Sequence, residues 1–158
     1  MMEQHSGSCF CGFVRYRLTS APMFIHCCHC RDCQKQSGGA FAINALIEAD
    51  RVEVVEGDTV PVSMPTESGR PHIIHRCPKC QTVLWSTYGG RTETRFVRVS
   101  TLEDAARFVP DVHIFTRSKL PWVRLPEGAR AFEVYYDAKA EWPAESLARR
   151  KANAAKAG

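Results

Sequence analysis

The chain has 158 residues, eight of them cysteine, and a formal net charge of +4. That length suits one domain able to bury most of its apolar surface, so bound metal would supplement a core rather than replace one. No apolar run approaches the length of a membrane span, and the surplus charge gathers in residues 138–158, where five cations face two carboxylates. The body is thus nearly neutral, which argues against a membrane protein and against a nucleic-acid-binding surface.

The opening Met-Met-Glu-Gln-His-Ser-Gly carries no apolar signal segment, so a reducing, cytoplasmic setting is expected and disulfides are not. Cys9 and Cys11 come next, and in an extended strand side chains two positions apart share a face. Phe13 to Leu18 alternates Val14, Tyr16 and Leu18 with Arg15 and Arg17, the period of a half-buried strand. Cys27, Cys28, Cys30 and Cys33 follow. The same parity aligns Cys28 with Cys30 and turns Cys27 away, and Cys30-Arg31-Asp32-Cys33 is a C-x-x-C turn leading into a short helix, Arg31 to Gln36, that ends at Gly38-Gly39.

Phe41 to Ile47 reads as a buried strand, and further strands are expected at Val52 to Val55, Val60 to Met64, His72 to His75, Val83 to Thr87, Phe96 to Ser100, Val112 to Phe115 and Glu133 to Tyr136. Turn signals such as Glu56-Gly57-Asp58 and Gly89-Gly90 separate them. Cys77-Pro78-Lys79-Cys80 is a second C-x-x-C turn, pre-set by Pro78. The expected architecture is a mainly β domain over residues 1–137 with short helices and two zinc sites. A basic tail, 138–158, is expected to be helical from Pro143 onward. Its apolar face is thin, which predicts weak docking or fraying.

The cysteines divide most economically into one full and one incomplete metal site. Cys9, Cys11, Cys77 and Cys80 supply four thiolates, the closed set of a structural zinc. Cys28, Cys30 and Cys33 supply three and leave a position for water or substrate, as catalytic zinc requires. Two alternatives stand beside this division. Iron–sulfur ligation uses the same thiolates, and His26, His29 or His75 could close the second site and make both zincs structural.

Gly7-Ser8-Cys9-Phe10-Cys11-Gly12-Phe13-Val14-Arg15-Tyr16 and Cys28-His29-Cys30-Arg31-Asp32-Cys33-Gln34-Lys35-Gln36-Ser37-Gly38 resemble the glutathione-dependent formaldehyde-activating enzyme family. Cys77-Pro78-Lys79-Cys80, His113-Ile114-Phe115 and Leu120-Pro121-Trp122 extend the resemblance over roughly residues 5 to 136. It implies a β fold similar to the Mss4-like zinc proteins. Matched motif by motif, structural ligands fall on Cys9, Cys11, Cys77 and Cys80, and catalytic ligands on Cys28, Cys30 and Cys33. Gln81 departs from the pattern, standing where the second C-x-x-C of the family often continues with glycine.

The implied activity is that of a carbon–sulfur lyase-like enzyme, with S-hydroxymethylglutathione formation from formaldehyde and glutathione as the family's proposed reaction. The competing class is a zinc-stabilised thiol carrier or a protein- or chromatin-binding module, as relatives resembling centromere protein V imply. Arg31, Lys35 or Arg76 are candidates to meet a substrate carboxylate. Strand parity turns His29 away from the open zinc, towards a supporting or structural role. His113 is a candidate acid or base, and Phe41 and Trp122 are candidates to line a cleft; for each, an ordinary structural role is the commoner use of such a residue.

Overall fold

The computed structural model describes residues 3–158. Its first strands, β1 (His5–Ser8) and β2 (Arg15–Leu18), join β5 (Val52–Glu56) in a three-stranded antiparallel sheet. The larger, seven-stranded sheet is built from β3 (Phe24–Cys28), β4 (Ala42–Glu48), β6 (Val60–Met64), β7 (His72–Arg76), β8 (Val83–Tyr88), β9 (Thr94–Arg98) and β10 (Val112–Ile114). Its order is β10-β3-β4-β9-β8-β7-β6. All neighbours are antiparallel except β10, which runs parallel to β3 and sets His113 beside Cys27. The fold is mainly β, as the alternating runs predict.

The period-2 patterning of these strands feeds two cores. Val14, Tyr16, Leu18, Ile25, Ala45, Ile47, Trp85 and Val97 bury one face of the large sheet against the small one. Phe24, Cys28, Leu46, Val112, Ile114, Tyr136 and Trp142 form the other core. Because Ile25 belongs to the first and Phe24 and Cys28 to the second, residues along β3 alternate between them. Strand β1 escaped the periodicity because its sequence is His-Ser-Gly-Ser. Gly7 is needed there, since a Cβ would stand 2.4 Å from the Tyr16 ring.

Three expectations need correction. Glu133 to Tyr136 is not a strand: residues 130–134 run beside β10 and its exit, with His113 N–H donating to Arg130 O and Phe115 N–H to Val134 O, each at 2.8 Å. Strand β9 stops at Arg98, and 99–101 turn as a 3₁₀ segment. The tail is helical, as expected from Pro143 onward, but its docking does not depend on its thin apolar face. Helices α2 (Ala138–Glu141) and α3 (Ala144–Lys156) are held by polar anchors: Ser146 Oγ donates to Met23 O at 2.7 Å, Asn153 Nδ2 to Glu93 O at 2.8 Å, and Arg149 forks onto Glu48 at 2.9 and 2.7 Å. The apolar face of α3 is thin, as expected, but docking rests on buried hydrogen bonds and on Trp142 stacked on Phe24.

Candidate metal centres

Cys9, Cys11, Cys77 and Cys80 converge, with all four sulfurs within 4.8 Å of one another. Two turns bring them together. Gly12, at φ 77°, lets the chain reverse after Cys11, and Val14 N–H reaches the Cys9 sulfur at 3.3 Å. In the second turn the amides of Lys79 and Cys80 point at the Cys77 sulfur, at 3.4 and 3.5 Å. Gln81 closes it in the left-handed region, φ 63°, donating its N–H to Cys77 O at 3.0 Å. The departure from glycine therefore leaves the turn intact, at a cost of about 1 kcal/mol.

Sulfur separations of 3.6 Å (Cys9–Cys11) and 3.8 Å (Cys11–Cys77) are far from a disulfide bond and match the edge of about 3.8 Å in a zinc tetrathiolate tetrahedron. All eight cysteines are free. Two of these thiols are shifted in opposite directions. Hydrogen bonds from the Thr82 hydroxyl and amide pull Cys80 down to about 5. The Phe13 amide favours the Cys11 thiolate, yet desolvation and its three neighbours outweigh that and push Cys11 up to about 11. A cation among them would favour thiolate at every position.

Cys28, Cys30 and Cys33 form a second group, again within 4.8 Å. Its construction differs from the expected shared strand face. Strand β3 ends at Cys28, and Cys30 is the N-cap of α1 (Arg31–Ser37), its sulfur accepting the Cys33 N–H at 3.3 Å. Hydrogen bonds from Cys28 and Cys33, helped by the first amides of α1, hold the Cys30 thiol far below its usual range, while Cys28 and Cys33 are pushed up. Among the described residues no fourth thiol, imidazole or carboxylate lies within 4.8 Å of all three. Of the histidines that could have closed the site, His26 bonds Tyr136 Oη, His75 bonds Thr59 Oγ1, and His29 belongs to another group.

The cation facing these thiols is Arg98, which sequence reasoning missed. It sits at the end of β9 opposite Asn44, donates to Asn44 Oδ1 and lies 3.5 Å from Gln36 Oε1. Burial lowers its pKa, and the three thiols work against that shift by favouring its charged form. A legible signal existed: Asn44 interrupts the otherwise apolar Phe41 to Ile47 run, and a polar residue there asks for a charged or polar cross-strand partner. A cleft of about 450 Å³ opens beside it, lined by Arg98, Arg76, Gln36, Phe41, Ile43 and Thr82 among others. Arg31 and Lys35 are exposed outside that lining, and Trp122, 70% exposed, is absent from it too.

A third group, on the opposite face of β3, contains Cys27, His29 and His113. Strand pairing sets His113 beside Cys27, and His29 N–H donates to Ile114 O at 3.0 Å. Burial, then the charges of His113 and Lys119, lower His29 to about 4, and burial raises Cys27 to about 12. Cys27 and His29 thus face away from the three-cysteine group, and His113 stands with them rather than in the cleft.

A mainly β chain whose cysteines gather in clusters able to hold metal defines a class of small thiol-rich proteins. A profile of the glutathione-dependent formaldehyde-activating enzyme family matches residues 4–118. A Halomonas elongata protein, provisionally named a glutathione-dependent formaldehyde-activating enzyme, is 32% identical over 146 residues, covering 87% of this chain and 93% of that one. A solved Rhodobacter sphaeroides protein superposes with a TM-score of 0.49 at 22% identity, covering 66% of this chain and 97% of that one. The chain belongs to the glutathione-dependent formaldehyde-activating enzyme family.

Proposed function

We propose that this chain is a zinc-dependent enzyme that makes and breaks a carbon–sulfur bond between a thiol and an aldehyde, with glutathione and formaldehyde as the leading pair. The observation that carries the reading is the three-thiol group, open at its fourth position and faced by an arginine beside a cleft. Cys28, Cys30 and Cys33 would hold the catalytic zinc, and Cys9, Cys11, Cys77 and Cys80 the structural one. A zinc ion in the open group would supply a Lewis-acid position that lets a thiol give up its proton near neutral pH.

The chain's own residues do the rest. Arg98, pinned by Asn44 and Gln36, would offset the negative charge of the three thiolates and of a substrate thiolate beside them. Arg76, whose guanidinium donates to Gln81 O at 3.1 Å, gives the cleft a second cation suited to a carboxylate of a peptide-like thiol. The substrate sulfur attacks the carbonyl carbon, the C–S bond forms as the C=O π bond opens, and the thiol's proton ends on the new hydroxyl; the reverse is the lyase direction. Free thiols in such numbers suit a reducing compartment, so the reading includes the cytoplasm.

The test is turnover by zinc-loaded protein on a panel of thiols and aldehydes, followed by exchange NMR of the hydroxymethyl adduct. A rate above the uncatalysed exchange that requires zinc and is highest for a carboxylate-bearing thiol is expected. Tight thiol binding with no acceleration for any pair would leave the thiol-carrier reading in its place.

A further inference from the structure

Cys27, His29 and His113 have no part in that chemistry, yet they are as tightly gathered as the cysteines that do. We propose that these three side chains form a third metal site, of mixed Cys-His₂ composition, that takes a zinc-type divalent cation and clamps edge strand β10 to β3.

Three features of the fold assemble it. The parallel register sets His113 directly beside Cys27. His29 lies two residues beyond Cys27, just past the strand end, and its backbone is fixed by the bond to Ile114 O. Alternation along β3 then gives this trio the face opposite Cys28, so the two groups share a strand without sharing a ligand.

The donor geometry fits. His29 Nε2 lies 3.6 Å from the Cys27 sulfur and 3.1 Å from His113 Nδ1. A tetrahedral zinc, with Zn–S near 2.3 Å and Zn–N near 2.0–2.1 Å, has S–N and N–N edges of about 3.6 and about 3.3 Å. One ring nitrogen facing both a thiol and a second ring nitrogen can make a single in-line hydrogen bond, so a proton satisfies one neighbour where a cation satisfies both. The residues are deeply set: Cys27 is 2% exposed, His29 0% and His113 9%.

The charges are also compatible. A divalent ion with one thiolate and two neutral imidazoles carries about +1, and one with three thiolates about −1, so neighbouring sites on the two faces of β3 would attract. The trio requires a borderline metal that accepts both nitrogen and sulfur, which favours zinc over magnesium or calcium.

The experiment counts metal. Wild type, Cys27→Ser and His113→Gln are saturated with zinc, freed of excess by gel filtration and assayed for zinc per chain, with circular dichroism to confirm folding. Each variant is expected to hold one equivalent fewer than wild type. Equal counts in all three overturn the proposal. So does a loss in Cys27→Ser alone, which would assign Cys27 to the three-cysteine group. If the buried substitutions fail to fold, the converse protein decides: with Cys28, Cys30 and Cys33 all changed to serine the trio is intact, and two equivalents support the site whereas one overturns it. Cobalt loading of that protein adds a readout independent of activity. A mixed thiolate–imidazole spectrum beside the tetrathiolate one is expected, and a tetrathiolate spectrum alone contradicts the third site.

Discussion

The four-cysteine and three-cysteine groups use the same residue at the same two spacings, yet they are built at opposite ranges of the chain. In the first, Cys11 and Cys77 are neighbours across 66 positions of sequence. Two turns that would otherwise be free are tied together, and an ion between them would remove the closure entropy of that long loop. In the second, all three sulfurs lie within residues 28–33, at the junction of β3 and α1. Little chain is closed there, and an arginine from a distant strand faces the thiols instead of a fourth ligand. With identical residue chemistry, the two groups differ in how much chain each would close, and the proposed division into a staple and a reactive centre rests on that difference.

That contrast can be broken at the staple first. Cys77→Ala should remove several kcal/mol of stability, less than the ~10 kcal/mol of a peptide-sized zinc unit because a core remains. Thermal unfolding is the check, and an unchanged melting temperature would remove Cys77 from a stabilising metal site.

A region free of metal ligands gives the control. Arg149→Ala leaves Glu48, 2% exposed, facing only Arg51 at 3.6 Å, and should cost about 3 kcal/mol without changing metal content. Burial alone would raise the Glu48 pKa, but the Arg149 hydrogen bonds outweigh it and hold it below the usual range. A depressed carboxylate stabilises the fold fully above its unfolded pKa and loses that contribution as pH falls through the folded one. Wild type should therefore lose stability on acidification through that window, and Arg149→Ala should lose less. Parallel curves for the two proteins would contradict the assignment.

Arg98→Lys sharpens the other half. It keeps the charge but loses the fork that meets both Asn44 and Gln36, so kcat/KM should fall about tenfold with the melting temperature little changed. The smallest effect is at Gln81. Gln81→Gly should stabilise by about 1 kcal/mol, because the left-handed turn then carries no Cβ strain. A destabilised variant would mean that the Gln81 side-chain bond to Pro78 O, 3.1 Å, outweighs the relief.

What could be read from the sequence follows the same division by range. The cysteine groups were legible because C-x-C and C-x-x-C are local geometry, and Cys27's separate direction followed from parity alone. The buried strands were legible because alternation is local too. Arg98 was legible only indirectly, through the polar Asn44 within the Phe41 to Ile47 run, because its meeting with the thiols depends on β9 pairing β4 in one register. His113 was visible as a residue but not as the neighbour of Cys27, since parallel pairing across 86 positions leaves no local trace. The tail's helix was legible but its docking was not, because that docking uses Ser146, Arg149 and Asn153, which an apolar-face criterion counts as solvent-facing.

On the proposed function, the three-cysteine group performs the chemistry and the four-cysteine group holds the fold. The most direct test of that division is Cys30→Ser in zinc-loaded protein, with melting temperature and thiol–aldehyde turnover measured on one preparation. A melting temperature close to wild type with turnover reduced at least 100-fold, about 3 kcal/mol in barrier, is the predicted result. A melting temperature lowered as far as in Cys77→Ala, with turnover retained in the protein that remains folded, would contradict it.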